Sequence, residues 1–283
     1  MTPALSCERL SFAYGGRPVL RDVSCVVAPG ERVALIGRNG AGKTTLTRLV
    51  AGLERAASGT VRVGDWDAGR HRPDELARRV AVVFQHADQQ LFARTVREDV
   101  AFGPLALGVP GPEAGVRVAA ALAELDLGSV ASEHPYDLPP PVRKLAALAG
   151  ALALAPSLLV LDEPTTGLDR ALRARVARVI RARAAAGCAV LVVTHDVAFA
   201  VEVLDRALVL DGGAVVFDGA IAELCRDPTR LRTLGLREPP VAALSRALDL
   251  PGRPVRIDDA APIVAACCAS GGLPYIGESH GPT

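Results

Sequence analysis

The feature that most restricts this chain is the octet Gly37-Arg38-Asn39-Gly40-Ala41-Gly42-Lys43-Thr44. It lies between an apolar run, Arg32-Val33-Ala34-Leu35-Ile36, and a stretch with helical character from about Lys43 to Val50. The octet has the form G-x-x-x-x-G-K-[ST] in the strand-to-helix setting that this form requires. Its glycines let backbone N–H groups close around a phosphate, and the helix start adds the positive end of its dipole. Lys43 reaches the outer phosphates of such a ligand, and Thr44 is placed to hold Mg²⁺. The match is specific, because lysine occurs only at Lys43 and Lys144 and every other basic residue is arginine. The loop demands a strand ending where a helix begins, which points to an α/β fold.

The rest of the chain agrees. Apolar runs around Leu10 to Tyr14 and Val19 to Val27, separated by a Gly15-Gly16 turn and followed by Pro29-Gly30, predict antiparallel β-structure before the loop. Short strands follow around Thr60 to Val63 and Val80 to Phe84. From about Pro104 to Ala155 the pattern is helical, with Val116, Ala120, Ala123 and Leu127 predicted to share one face. Strand and helix signals then alternate: Leu158 to Leu161, a helix near Arg170 to Ala185, Ala189 to Val193, a helix near Val197 to Leu204, and Ala207 to Leu210. That order implies a mostly parallel sheet covered by helices, with a helical insertion before its second half. The tail from about Leu234 is rich in Pro, Gly and Ala, and beyond Leu250 the pattern assigns no element.

Two further positions carry chemistry. Leu158-Leu159-Val160-Leu161-Asp162-Glu163 is four apolar residues and then two carboxylates, the form of a buried strand that delivers acids at its C-terminal end. Beside a phosphate loop, Asp162 would support Mg²⁺ through water, and Glu163 would polarise a water that attacks the terminal phosphate. His195 and Gln85 also end strands. Taken alone, a lone histidine in such a place is more often structural, and the glutamine carries no meaning.

Composition narrows the class further. A formal charge of +1 gives nucleic acid or an anionic membrane no general purchase on the molecule. The six cysteines form no C-x-x-C pair and no zinc-like spacing with histidine, which suits a reduced, cytosolic chain. The N-terminus lacks the basic and apolar regions of a secretory signal. The longest apolar run, Leu145 to Leu161, is broken by Pro156 and Ser157 and reads as a buried helix followed by a buried strand.

Together, Tyr14, the loop from Gly37 to Thr45, Gln85, Asp162-Glu163, Gly167-Leu168-Asp169 and Thr194-His195-Asp196 resemble the ATP-binding cassette (ABC) ATPases in order and spacing, from about residue 4 to residue 230. The resemblance implies an ABC ATPase fold with a mostly parallel core, an N-terminal antiparallel β-subdomain and a helical subdomain. It places the ATPase domain at residues 1–233, with the helical insertion at about 87–155 and a tail at 234–283 that contributes a dimer contact or is partly disordered. It implies that Tyr14 stacks on adenine, that Gln85 senses the γ-phosphate and Mg²⁺, that Asp169 lies at a dimer contact and that His195 contacts the γ-phosphate. A narrower likeness runs through Phe84-Gln85-His86-Ala87-Asp88-Gln89-Gln90-Leu91-Phe92 to Phe102-Gly103-Pro104 and, more weakly, Leu234 to Val241. These segments resemble energy-coupling factor (ECF) transporter ATPases, the cobalt and vitamin importers. That likeness implies a peripheral protein on the cytoplasmic face of the membrane, working as a dimer beneath a transmembrane coupling subunit and a substrate-binding subunit, with no nucleic-acid partner.

One segment departs from the family pattern. Where a Leu-Ser-Gly-Gly-Gln signature would open the helix before the acidic strand, this chain has Leu138-Pro139-Pro140-Pro141-Val142. In the usual arrangement that segment caps the γ-phosphate of ATP held by the other subunit. Prolines have no N–H to donate, and their rings crowd a phosphate that glycine would let approach. The defect therefore falls on the partner's nucleotide, which favours a heterodimer with a second ATPase subunit that carries an intact signature. Two other readings stay open: a nucleotide-binding regulatory subunit with little hydrolysis, and the ATPase of another ABC importer. A soluble ABC protein of translation or DNA repair usually has two cassettes or a long coiled-coil insertion, and this chain has neither.

Overall fold

The computed structural model describes residues 2–269. Strands β1 (Leu5–Tyr14), β2 (Arg17–Val27) and β3 (Arg32–Gly37) lead into helix α1 (Lys43–Val50). After β4 (Ser58–Val63), β5 (Trp66–Asp67), the single turn α2 (Pro73–Leu76) and β6 (Val80–Val83), the chain becomes helical through α3 (Val96–Ala106), α4 (Gly111–Glu124) and α5 (Pro140–Ala153). It returns to the sheet as β7 (Leu158–Asp162), α6 (Arg170–Ala185), β8 (Ala189–Val193), α7 (Val197–Val203), β9 (Arg206–Asp211) and β10 (Ala214–Ala220). Helices α8 (Ile221–Arg226), α9 (Pro228–Thr233), α10 (Pro240–Ala247) and α11 (Ile257–Ala269) complete the described chain.

The strands form two sheets. One is antiparallel, in the order β2-β1-β4-β5; the other has six strands in the order β10-β9-β3-β8-β7-β6 and is parallel except for β10 at its edge. Strands of the second sheet are buried on both faces, so they read as continuous apolar runs in the sequence. Alternate residues still go to different neighbours, because successive side chains point to opposite sides of a strand. Ala34, Ile36, Leu159, Leu161, Val190 and Val192 join α5, α6 and α7 in one core, whereas Val33, Leu35, Leu158, Val160, Leu191 and Val193 pack with α1 and the antiparallel sheet. Parallel pairing brings the C-terminal ends of β3, β6, β7 and β8 to one edge. That edge carries the loop, Gln85, the two acids and His195 together.

Two expectations need correction. Helix α4 buries Ala114, Val118, Ala121 and Leu122, not the stripe from Val116; Val116 is 70% exposed, and of the four only Leu127, past the helix end, is buried. The segment is so rich in alanine that two stripes at helical spacing compete, and the one with Val118 and Leu122 fills the space beside α5 and α3. Beyond Leu250, where the sequence pattern assigned no element, the chain forms α11. Leu234, Leu236, Ala242 and Val255 belong to the main core, and Arg256 fastens the start of α11 by donating to the carbonyls of Val201 at 2.7 Å and Leu204 at 2.8 Å. Residues 270–283 of the expected tail lie outside the described residues.

Candidate functional site

A cavity of about 760 Å³ opens at the C-terminal edge of the parallel strands. Its walls come from the loop (Gly37, Arg38, Asn39, Gly40, Gly42, Lys43, Thr44, Thr45), from the strand ends at Gln85, Asp162, Glu163 and His195, and from Val19 and Gly235-Leu236-Arg237.

The loop is held open by its own geometry. At Gly37 an added Cβ would stand 2.3 Å from the Leu210 carbonyl oxygen, so β3 passes β9 too closely for any side chain there. Gly42 caps α1 in the left-handed region at φ 104°, where a Cβ would meet Leu20 Cδ2 at 2.5 Å. Ala41 closes a turn by donating its N–H to the Arg38 carbonyl at 3.1 Å. Among the described residues, the N–H groups of Asn39, Gly40, Gly42, Lys43, Thr44 and Thr45 find no acceptor. Unsatisfied amides around the start of an eight-residue helix make a ready anion cradle. Lys43 folds across it and donates to the carbonyls of Gly37 at 2.6 Å and Arg38 at 3.0 Å. Burial lowers the pKa of this ammonium, while the charges of Glu163 and Asp162 oppose the shift.

The acids sit in different settings. Asp162 is buried at the end of β7, and no donor among the described residues reaches its carboxylate. Burial, and then the charge of Glu163, raise its pKa to about 6, while Lys43 and Lys144 pull it down. Glu163 is buried too, but its carboxylate is held on both oxygens. Oε1 accepts the His195 backbone N–H at 3.0 Å and lies 2.6 Å from His195 Nδ1, and Oε2 accepts the Thr194 hydroxyl at 3.2 Å. The Glu163 backbone has φ +48°, a region that costs a side-chain-bearing residue about 1 kcal/mol. Gln85 and Thr44 are exposed on the cavity wall, and Thr45 is buried beneath it.

Other candidates lie outside these walls. Tyr14 ends β1 with its ring against Phe12 and its hydroxyl 3.2 Å from Glu54, and it does not line the cavity. Asp169 caps α6 through an N–H bond from Leu172 at 2.8 Å. The segment Leu138 to Val142 likewise does not line this chain's own cavity. There Pro139 caps α5, Pro140 and Pro141 form its first two positions, and the next two amides, of Val142 and Arg143, both donate to the Pro139 carbonyl at 2.9 and 3.1 Å. The first turn of α5 therefore presents no free N–H at all. Leu138 is buried and Val142 packs on the main core, so both ends of the segment face inward.

The sequence did not single out Val19 or Gly235-Leu236-Arg237 as cavity residues. The latter arrive from beyond α9, with the Arg38 side chain lying over Gly235. The only signal was the weaker family likeness at Leu234 to Val241, which spacing alone does not connect to the loop.

A phosphate cradle on a parallel sheet, with two acids and a histidine at the neighbouring strand ends, defines a nucleotide-hydrolysing ATPase. The ABC transporter family model matches residues 20–166, and the chain belongs to that family as an ABC-type ATPase. A second model, described as AAA domain, putative AbiEii toxin, Type IV TA system, matches residues 142–202. Within the family, the chain is 42% identical over 259 residues to the cobalt import ATP-binding protein CbiO of Rhodobacter capsulatus, covering 90% of this chain and 92% of that one. It is 39% identical over 247 residues to the energy-coupling factor transporter ATP-binding protein EcfA of Methanothermobacter thermautotrophicus, covering 86% and 79%. The structure of cbiO1 from Clostridium perfringens, described as part of the ABC transporter complex cbiONQ, superposes with a TM-score of 0.74 at 28% identity, covering 87% of this chain and all of that one. No helix among the described residues is long and apolar enough to cross a membrane.

Proposed function

We propose that this chain energises an ECF-type importer for a transition-metal ion or a vitamin by hydrolysing ATP as one half of a heterodimer. The observation that carries the reading is the convergence on one cavity of the free amides at the start of α1, Lys43, and the Glu163–His195 pair at 2.6 Å. The amides from Asn39 to Thr45 would receive the phosphates, and Lys43 would leave its two carbonyls to meet the outer ones. Glu163 would take the proton of the attacking water, with His195 holding both its carboxylate and the γ-phosphate side of the site. Tyr14 is assigned to the adenine ring, and Asp169 to the dimer contact.

The donor set suits Mg²⁺. Thr44, Gln85 and Asp162 offer hard oxygens, and an unpaired carboxylate whose pKa is raised by burial is the group that a nearby cation would return to its ionised form. Among the described residues no cluster of three or more His, Cys, Asp or Glu could hold a metal unaided, so the remaining ligands would come from the bound polyphosphate and water. When bound, the ion would neutralise charge developing on the phosphates.

The heterodimer reading draws its support from α5. Its first turn has no N–H to offer a partner's γ-phosphate, while the cavity around this chain's own loop holds Lys43, Thr44, Gln85, Asp162, Glu163 and His195. An intact signature on a different subunit would complete one site. Exposed Phe92 and Phe102, with ring centroids 4.8 Å apart beside a groove of α3 and α5, support docking of the transmembrane coupling subunit at the cytoplasmic face. The division into an ATPase domain through residue 233 and a C-terminal unit belongs to the same reading. The prolines also favour a second reading, a regulatory subunit that binds nucleotide without useful turnover; Glu163 and His195 oppose it. The test is ATP turnover of the membrane complex carrying wild type or Glu163→Gln. A fall of roughly a hundredfold or more supports hydrolysis here, and equal rates would reject it in favour of the regulatory reading.

A further inference from the structure

Lys144 is the second of the two lysines in a chain whose other basic residues are all arginine. It lies in the first turns of α5, two residues beyond Val142, and its Nζ donates to the backbone carbonyls of Glu163 at 3.2 Å and Thr166 at 2.8 Å. We propose that Lys144 is a positioning residue that fixes the backbone of Glu163 and joins the partner-facing start of α5 to this chain's own hydrolytic carboxylate. The proposal rests on the role given to Glu163 above.

The need for such a tether is visible in the backbone. Glu163 holds φ +48°, and its N–H is already committed to the Val193 carbonyl at 2.8 Å. Its carboxylate is fastened to Thr194 and His195, which follow β8 directly. All of those contacts come from the β8 strand end. Lys144 adds a contact from α5 to the Glu163 carbonyl, which the Thr166 N–H also reaches at 3.4 Å, so that Glu163 is held by both β8 and α5 in a strained conformation. The same ammonium holds Thr166, whose hydroxyl lies 3.5 Å from Glu163 Oε2.

The choice of lysine fits the task. A compact ammonium with rotatable donors can serve two carbonyls three residues apart, whereas the planar guanidinium fork is shaped for carboxylates and phosphates. Several of the chain's arginines use that fork on carboxylates, as in the bidentate bonds of Arg32 to Asp205, Arg206 to Asp218 and Arg246 to Glu238, whereas Arg256 spreads its donors over the carbonyls of Val201 and Leu204. Both lysines grip main-chain carbonyls, Lys43 those of Gly37 and Arg38, and Lys144 those of Glu163 and Thr166. A shift of α5 on contact with the partner's nucleotide would thus be passed to the acid that serves this chain's own ATP.

The test compares Lys144→Met, Lys144→Arg and Glu163→Gln in the membrane complex, measuring MgATP turnover, ATP affinity and thermal stability of each. The expected result for Lys144→Met is a turnover loss of roughly tenfold to a hundredfold, as for a misplaced catalytic group, with ATP affinity within about twofold of wild type. Lys144→Arg restores donors to the carbonyls and should recover part of the loss. Wild-type turnover in Lys144→Met would overturn the proposal. So would a parallel fall of affinity and melting temperature with no recovery in Lys144→Arg, since that pattern marks a merely structural residue. Unchanged turnover in Glu163→Gln would remove the assignment of Glu163 itself, and this outcome is distinguishable because it does not depend on Lys144.

Discussion

Two helices in this molecule start at places where a phosphate is expected, and they start in opposite ways. Helix α1 opens from glycines, with amide after amide left without an acceptor and a lysine folded across them. Helix α5 opens from three prolines, and its first two N–H groups are both consumed by Pro139. The same backbone dipole stands behind each start. The difference shows that a helix N-terminus binds anions through the donors it leaves free and the space around them, and that the dipole alone is not a site.

The contrast can be broken first at α1. Lys43→Ala should weaken ATP binding roughly a hundredfold by removing a charge-assisted contact to the outer phosphates. Pro140→Ala, at the other helix, should leave the chain's own affinity unchanged. Calorimetric titration of both variants checks the pair, and equal losses would erase the distinction.

A smaller effect is expected at Asp162. Its pKa is about 6 in the fold against 3.8 as an ordinary carboxyl. The protonated form is thus the one that the nucleotide-free fold prefers. The stability it contributes is full below the ordinary value and is lost as pH rises through about 6. Asp162→Asn should therefore stabilise the nucleotide-free chain at pH 7.5 by about 1–2 kcal/mol and have little effect near pH 4. Melting temperatures across that range test the sign. The wild type should regain the difference with MgATP, and the variant should not.

The smallest effect belongs to the prolines as helix starters. Pro140 already has a first-turn position that suits its ring, so Pro140→Ala should cost only about 0.5 kcal/mol, through greater freedom of the unfolded chain. A larger loss in denaturant unfolding would mean that the segment is a packing element first.

Much of the contrast was legible in the sequence, because both helix starts are written in local chemistry. Glycine, lysine and proline act on the backbone where they stand, and the edges of β3, α1, α6 and β8 lie close to where the apolar runs and turns predicted them. What stayed hidden depends on long-range packing. The α4 face was misread because alanine makes competing stripes equally apolar. Arg237 and Gly235 reach the cavity only through the docking of the C-terminal helices. Lys144 meets Glu163 across a helix-to-strand contact that no periodicity encodes. Leu138 and Val142 look like signature remnants in sequence, yet Leu138 is buried and Val142 is partly buried against the core, which sets how the prolines are presented.

The most direct measurement is ATP turnover by the purified chain without any other subunit, as wild type and as the Pro139→Ser, Pro140→Gly, Pro141→Gly, Val142→Gln variant. The wild type should bind ATP but turn it over very slowly, because two sound phosphate loops would face two capless helices. The variant should gain roughly tenfold or more as amides and a hydroxyl become available to the opposing γ-phosphate. Turnover by the wild-type chain alone at a rate typical of transport ATPases, or a variant no faster than the wild type, would contradict the account.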